Sequence, residues 1–140
     1  CRRPSLDLAA VAAPIYGRGA GLGSSGLMPR LDPEQELATD PRAHAALSAS
    51  AGTGKTHVLT SRVFRLLLGG AKPESILGLT FTKAGAANMA ERIGTKLASW
   101  VRLDDRALFN ELQALGEDGG PDQRQLARTL FAKVLDAPGG

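Results

Sequence analysis

At 140 residues, 43% of them apolar, the chain is long enough to bury one core and too apolar for wholesale disorder. Its single cysteine, Cys1, excludes an internal disulfide framework, and no apolar run approaches the ~18 residues a membrane-crossing helix needs. The net charge of +3 is uneven: residues 42–102 hold nine Lys/Arg against Glu74 and Glu91, a block of +7, whereas residues 1–41 carry −1 and residues 103–140 carry −3.

Residues 1–27 differ from the rest. Gly17–Gly26 is a low-complexity, Gly- and Ser-rich stretch. The chain does not start with Met, and Met28 lies just before the first organised segment. Residues 1–30 therefore read as upstream sequence or a loosely ordered extension. Arg2-Arg3 followed by Leu8–Ala13 faintly resembles a secretion signal, but Asp7 and Pro14 interrupt it. A leading Cys would suit a lipid-modified end. Both readings give way to a cytoplasmic one, because the apolar run is short and interrupted.

Order begins near Leu31. Asp32-Pro33-Glu34 is a helix start, with a capping residue and Pro in the first turn. Asp40-Pro41 signals a turn, and His44–Ser48 reads as a short buried strand. Val58, Leu59, Val63, Leu66 and Leu67 then recur at helical spacing until Gly69-Gly70 stops the helix. After the Lys72-Pro73-Glu74 loop, Ser75–Phe81 reads as a second buried strand. A helix follows from about Lys83, with Met89, Ile93 and Leu97 stacked at i, i+4, i+8. Trp100 reads as a packing residue. Two parallel strands joined by a right-handed helical crossover follow from this order. Their C-terminal ends would lie on one edge of the sheet, where ligands bind in open α/β folds. The remainder is helical: Leu108, Phe109, Leu112 and Leu115 mark one face, and Leu126, Leu130, Phe131 and Val134 mark another after a cap at Asp122.

Between the first strand and its helix lies Ala49-Ser50-Ala51-Gly52-Thr53-Gly54-Lys55-Thr56. Small residues let backbone N–H groups curl around an anion and deliver it to a helix N-terminus. In a phosphate-binding loop of this pattern Lys55 reaches the β/γ-phosphates of ATP and the Thr56 hydroxyl completes a Mg²⁺ shell. Ala49 stands where the pattern opens with Gly, and is its smallest substitute. An ordinary Gly-rich turn is the bland alternative; the strand–loop–helix context argues against it. The +7 block around this loop suits a polyanion as second partner, and equally suits solvated helix faces. His44 and His57 are too isolated to form a metal or catalytic cluster.

Leu79–Ile93 (LTFTKAGAANMAERI) resembles motif Ia of the UvrD/Rep-like helicases of superfamily 1. Ser48–Thr56, with Val58-Leu59-Thr60 and Arg62 after it, is similar to the same family, and within it to the AddA-type subunits of bacterial AddAB helicase–nucleases. The resemblance runs from about Leu31 to Gly140. It implies an α/β fold: a RecA-like P-loop NTPase parallel sheet with flanking helices, incomplete here and followed by a helical segment. Residues 31–102 would begin ATP-binding domain 1A, and residues 103–140 would be a truncated helical segment of the same domain. It implies ATP and Mg²⁺ as cofactors, single- and double-stranded DNA as partner, and an AddB-like nuclease partner. The activity implied is 3′→5′ helicase and translocase action in double-strand-break repair.

By the same resemblance Thr80, Phe81, Thr82 and Lys83 contact single-stranded DNA. Phe81 offers a face for base stacking, worth roughly 1–3 kcal/mol, and the others bind phosphates. The residues alone admit another reading, with Phe81 in the core and the threonines capping a helix. Gln35 matches the adenine-sensing glutamine of these helicases, since an amide donates and accepts at once. His57 stands where relatives often carry Arg. Gly85 replaces the usual Ala, at about 1 kcal/mol of helix propensity, and Asn88 replaces the usual Glu. The family also needs an Asp-Glu pair for Mg²⁺ and water and an arginine finger; no Asp-Glu pair follows an apolar strand-like run in this sequence. The expectation is an N-terminal fragment of a larger helicase, inactive alone. A small P-loop kinase and a non-catalytic nucleotide- or nucleic-acid-binding module are the competing readings.

Overall fold

The computed structural model describes residues 29–46 and 54–137. Among them the regular elements are five α-helices and one 3-10 turn. Helix α1 spans Pro33–Thr39, α2 Lys55–Leu68, α3 Lys83–Arg102, α4 Asp105–Ala114 and α5 Pro121–Leu135; the 3-10 turn is Pro73–Ser75.

Local chemistry accounts for most of the boundaries. Asp32 caps α1: its carboxylate accepts from Gln35 N–H at 2.8 Å, and Gln35 Oε1 accepts from Asp32 N–H at 3.2 Å. This reciprocal pair satisfies two amides that the helix cannot. Thr82 and Asp104 cap α3 and α4 through Gly85 N–H and Ala107 N–H. Gly69 ends α2. Helix α5 opens on Pro121 behind Gly120, so Asp122 sits inside the first turn rather than capping it. There its carboxylate still favours the positive end of the helix dipole.

Four helices build the core. Phe64, Leu67 and Leu68 of α2 meet Leu97 and Trp100 of α3, Leu108 and Leu112 of α4 with Leu115 just after it, and Ala127 and Leu130 of α5. Phe64 and Trp100 sit 5.2 Å apart at a tilt of 50°, within the favourable range for ring pairs. Trp100 donates its indole N–H to Glu111 Oε2 at 3.3 Å, and Lys96 Nζ binds the same oxygen at 2.9 Å. Glu111 is 1% exposed, so this carboxylate is a charge held inside the core by its partners. Phe109, expected on the buried face of α4, is exposed.

The expected parallel sheet is not formed, which corrects the α/β, RecA-like reading: the described residues are helical and contain no strand. Residues 44–46 have no regular structure and are exposed, while 47 and 48 lie outside the described residues. Residues 76–80 form no ladder either. A strand needs a neighbour for its backbone and cover for its faces. Here only Ile76 turns onto the core, while Leu77 (82%) and Leu79 (83%) face outward. The segment is a linker anchored by the 3-10 turn and Ile76, so the right-handed crossover falls with the sheet. None of the described helices is long and apolar enough to cross a membrane.

Candidate functional site

The amino end of α2 differs from those of α1, α3 and α4. Gly54 precedes it with φ of +86°, a left-handed conformation that a Cβ disfavours. Asp32, Thr82 and Asp104 close those three, whereas among the described residues no side chain caps α2 or α5, and the first turn of α2, unlike that of α5, contains no acidic residue. The amides of the first turn of α2 therefore present their partial positive charge to an approaching anion. Lys55 and Thr56 are exposed beside them. Thr56 uses its backbone carbonyl to accept from Thr60 Oγ1 at 2.8 Å. Ala49, Ser50, Ala51, Gly52 and Thr53 lie outside the described residues.

Gln35 reaches this end of α2. Its Nε2 lies 3.8 Å from where a Cβ on Gly54 would stand, while its Oε1 is engaged by Asp32 N–H. The capping pair thus turns the donor end of the amide toward Gly54. Two arginines on the next turns of α2 tie α1 and the loop after it to the same helix. Arg62 Nη1 donates to the carbonyls of Ala38 at 3.0 Å and Asp40 at 2.8 Å, and its Nη2 donates to that of Ala43 at 2.6 Å. Arg65 Nη1 donates to the Glu36 carbonyl at 3.1 Å and to Thr39 Oγ1 at 2.9 Å, while its Nε pairs with Glu117 at 3.0 Å.

His57 follows Thr56 and turns inward. Burial holds its pKa below the ordinary imidazole value; a hydrogen bond with the Pro29 carbonyl works the other way, and the Lys96 charge adds to the depression. The neutral ring leaves Nε2 buried without a hydrogen-bond partner among the described residues, as is Ser61 Oγ one turn on.

The second group gathers at the start of α3. Phe81 is wholly exposed (108%), not a core residue, and Lys83 is exposed as the first residue of the helix. Thr82 Oγ1 accepts from Gly85 N–H at 3.0 Å, so this threonine does cap the helix. A Cβ on Gly85 would lie 2.8 Å from Thr80 Oγ1 and 3.0 Å from Thr82 Oγ1. The glycine thereby lets both hydroxyls close over the first turn of α3. A protruding aromatic face beside hydroxyls and an ammonium can stack a base and bind phosphate.

Residues 31–128 match the family model described as UvrD/REP helicase N-terminal domain. The chain belongs to that family. Among the curated relatives of this UvrD/REP helicase N-terminal domain is an ATP-dependent helicase/nuclease subunit from Lactobacillus helveticus. It is 48% identical over 92 residues, covering 63% of this chain and 8% of the relative. The protein of the same name from Lactobacillus acidophilus is 48% identical over 71 residues, 50% of this chain and 6% of its own. That of Clostridium perfringens is 39% identical over 88 residues, 59% and 7% respectively. The chain thus spans less than a tenth of the length of these relatives. No solved structure matches it.

In this UvrD/REP domain the Gly85 departure has a physical account, the room it leaves for Thr80. Asn88 is exposed on α3. Sequence reasoning missed the clamping by Arg62 and Arg65 and the inward turn of His57. The one available signal was an Arg pair three apart on a helix otherwise apolar between Val63 and Leu68.

Proposed function

We propose that this chain supplies the adenine-nucleotide site and a single-stranded-DNA contact of an ATP-dependent DNA helicase and translocase of the AddA type. In this reading the enzyme moves 3′→5′, acts in the cytoplasm on double-strand breaks, and works with an AddB-like nuclease partner. The uncapped amino end of α2 is the observation that carries it: Gly54 in the left-handed region, Lys55 and Thr56 exposed, and Gln35 Nε2 turned toward Gly54. The helicase/nuclease naming of relatives up to 48% identical supports the DNA-processing part.

Each residue has a definable task. The first-turn amides of α2, with the loop residues Ala49–Thr53 before them, hold the phosphates. Lys55 places its ammonium on the β/γ-phosphates, and Gln35 Nε2 donates to the adenine edge. Mg²⁺ neutralises charge on the transferred phosphate. In this reading the ion arrives with the nucleotide, and the Thr56 hydroxyl is the ligand this chain offers it. Thr80, Thr82 and Lys83 hold the DNA backbone and Phe81 stacks a base.

With no Asp-Glu pair after an apolar strand-like run in the sequence, these 140 residues alone hydrolyse ATP negligibly. In the longer helicase–nuclease polypeptide, Lys55→Ala abolishes ATP hydrolysis and unwinding and leaves DNA binding largely intact. Unwinding retained by that variant would refute the role given to Lys55. Single-strand binding should also weaken steeply as salt rises, as phosphate contacts release counterions.

A further inference from the structure

Arg62 lies half-buried on α2, two turns beyond Lys55, on the side that meets α1. Its guanidinium spans three backbone carbonyls, those of Ala38, Asp40 and Ala43, at 2.6–3.0 Å. The first belongs to the last turn of α1, whose C-terminal carbonyls lack helical partners. The third lies in the turn that follows α1, at residues 41–43. One side chain therefore ties together the helix carrying Gln35, the turn that follows it, and the helix carrying Lys55 and Thr56. The planar fork of arginine suits this, because its donors leave in fixed, divergent directions. Helix α1 has only seven residues and is too short to hold its place by propensity.

We infer that Arg62 is a positioning residue for nucleotide recognition: it fixes Gln35 against Gly54 and so sets the preference for adenine over guanine nucleotides. This rests on the nucleotide-site reading given above. Arg65 anchors α1 as well, but it reaches Glu36, Thr39 and the Glu117 carboxylate, not the turn after α1. Arg62 is thus the residue that holds the C-terminal end of α1 and the turn after it together, and with them the seat of the helix that carries Gln35.

The test is displacement of a fluorescent N-methylanthraniloyl-ATP from the full 140-residue chain by ATP or GTP, for wild type, Gln35→Ala, Arg62→Met and Arg62→Lys. The wild type should favour ATP. Arg62→Met should weaken ATP by roughly tenfold, the scale of charged hydrogen bonds lost, and bring ATP and GTP to near-equal affinity. Arg62→Lys, which keeps the charge without the fork, should fall between. The double variant Arg62→Met with Gln35→Ala should discriminate no worse than Gln35→Ala alone, because the arginine acts through the glutamine. Wild-type discrimination in Arg62→Met, or losses that add in the double variant, would overturn the inference and leave the nucleotide site standing. Absence of nucleotide binding by the wild type would remove that site and the inference with it. Should both arginine variants lose their helical circular dichroism, Arg62 would be a folding residue and the inference would fail.

Discussion

The two halves of α3 obey different constraints although they form one continuous helix. Its C-terminal half places Leu97 and Trp100 wholly inside the core, against α2, α4 and α5. Its N-terminal half, from Lys83 to Arg92, is exposed except for partial cover at Gly85 and Met89. In helix α2 the exposed part is shorter: Lys55 and Thr56 are exposed, while burial begins at Val58 and continues through Thr60, Ser61, Phe64, Leu67 and Leu68. Packing therefore specifies the C-terminal half of α3 and α2 from Val58 onward. The N-terminal half of α3 and the first two residues of α2 are not required by the core, and they lie at helix ends where anions are favoured. That division separates scaffold from site without reference to any relative.

Trp100→Ala and Phe81→Ala probe it most strongly. The first removes the largest buried side chain and should cost about 3–5 kcal/mol in chemical denaturation. The second should stay within ~0.5 kcal/mol of wild type, as exposed substitutions do, yet weaken single-strand binding. Similar losses of stability for the two would erase the distinction.

Next in size comes Lys96→Met. It takes away the ammonium that binds Glu111 at 2.9 Å and leaves a carboxylate that is 1% exposed without that cation, though still with the Trp100 indole N–H. A loss of about 3 kcal/mol is expected, and adding Glu111→Leu should recover much of it. A neutral Lys96→Met would mean the core does not depend on this pair.

Acidification tests the boundary between the exposed and buried parts of α2, where His57 sits. Burial, opposed by the Pro29 carbonyl and reinforced by Lys96, keeps its pKa below the ordinary 6.5, so the unfolded chain takes up the proton more readily. Stability should be fully present above about pH 6.5 and erode as pH falls from there toward the depressed folded value. Asp105 is held below its ordinary 3.8 chiefly by its hydrogen bond with Arg128, and its contribution disappears only in stronger acid. Urea midpoints at about pH 7.5 and about pH 5.5 should differ less in His57→Phe than in wild type; an equal difference would place the acid sensitivity elsewhere.

The smallest effect belongs to Gly85→Ala. Helix propensity alone would stabilise it by about 1 kcal/mol. The new Cβ would stand 2.8 Å from Thr80 Oγ1 and displace it, so the thermal midpoint should gain less than propensity promises. A full gain would show that the Thr80 hydroxyl has no fixed place over the helix.

Much of the helical scaffold was legible because its signals are local. Asp32-Pro33, Gly69-Gly70 and Gly119-Gly120-Pro121 mark ends through capping and backbone chemistry, and Leu97, Leu108, Leu112 and Leu130 mark faces by spacing. The strands failed for a reason that periodicity cannot see. Leu77 and Leu79 have strand composition, but a strand exists only where a second segment meets its hydrogen bonds, and the described residues supply none. In the candidate site, Lys55, Thr56, Phe81 and Lys83 are surface residues whose positions follow from helix starts. Arg62 was illegible because its partners are backbone carbonyls 19 to 24 residues away. A carbonyl carries no residue identity, so such a contact leaves no pattern to read.

The most direct measurement is calorimetric titration of Mg²⁺–ATP and Mg²⁺–GTP into the purified chain, wild type and Lys55→Ala. Saturable binding is predicted, tighter for ATP than for GTP, and at least about tenfold weaker for ATP in the variant, since a charge-assisted phosphate contact is lost. Wild type without binding heat, or Lys55→Ala with undiminished affinity, would contradict the assignment of the α2 amino end as a nucleotide site.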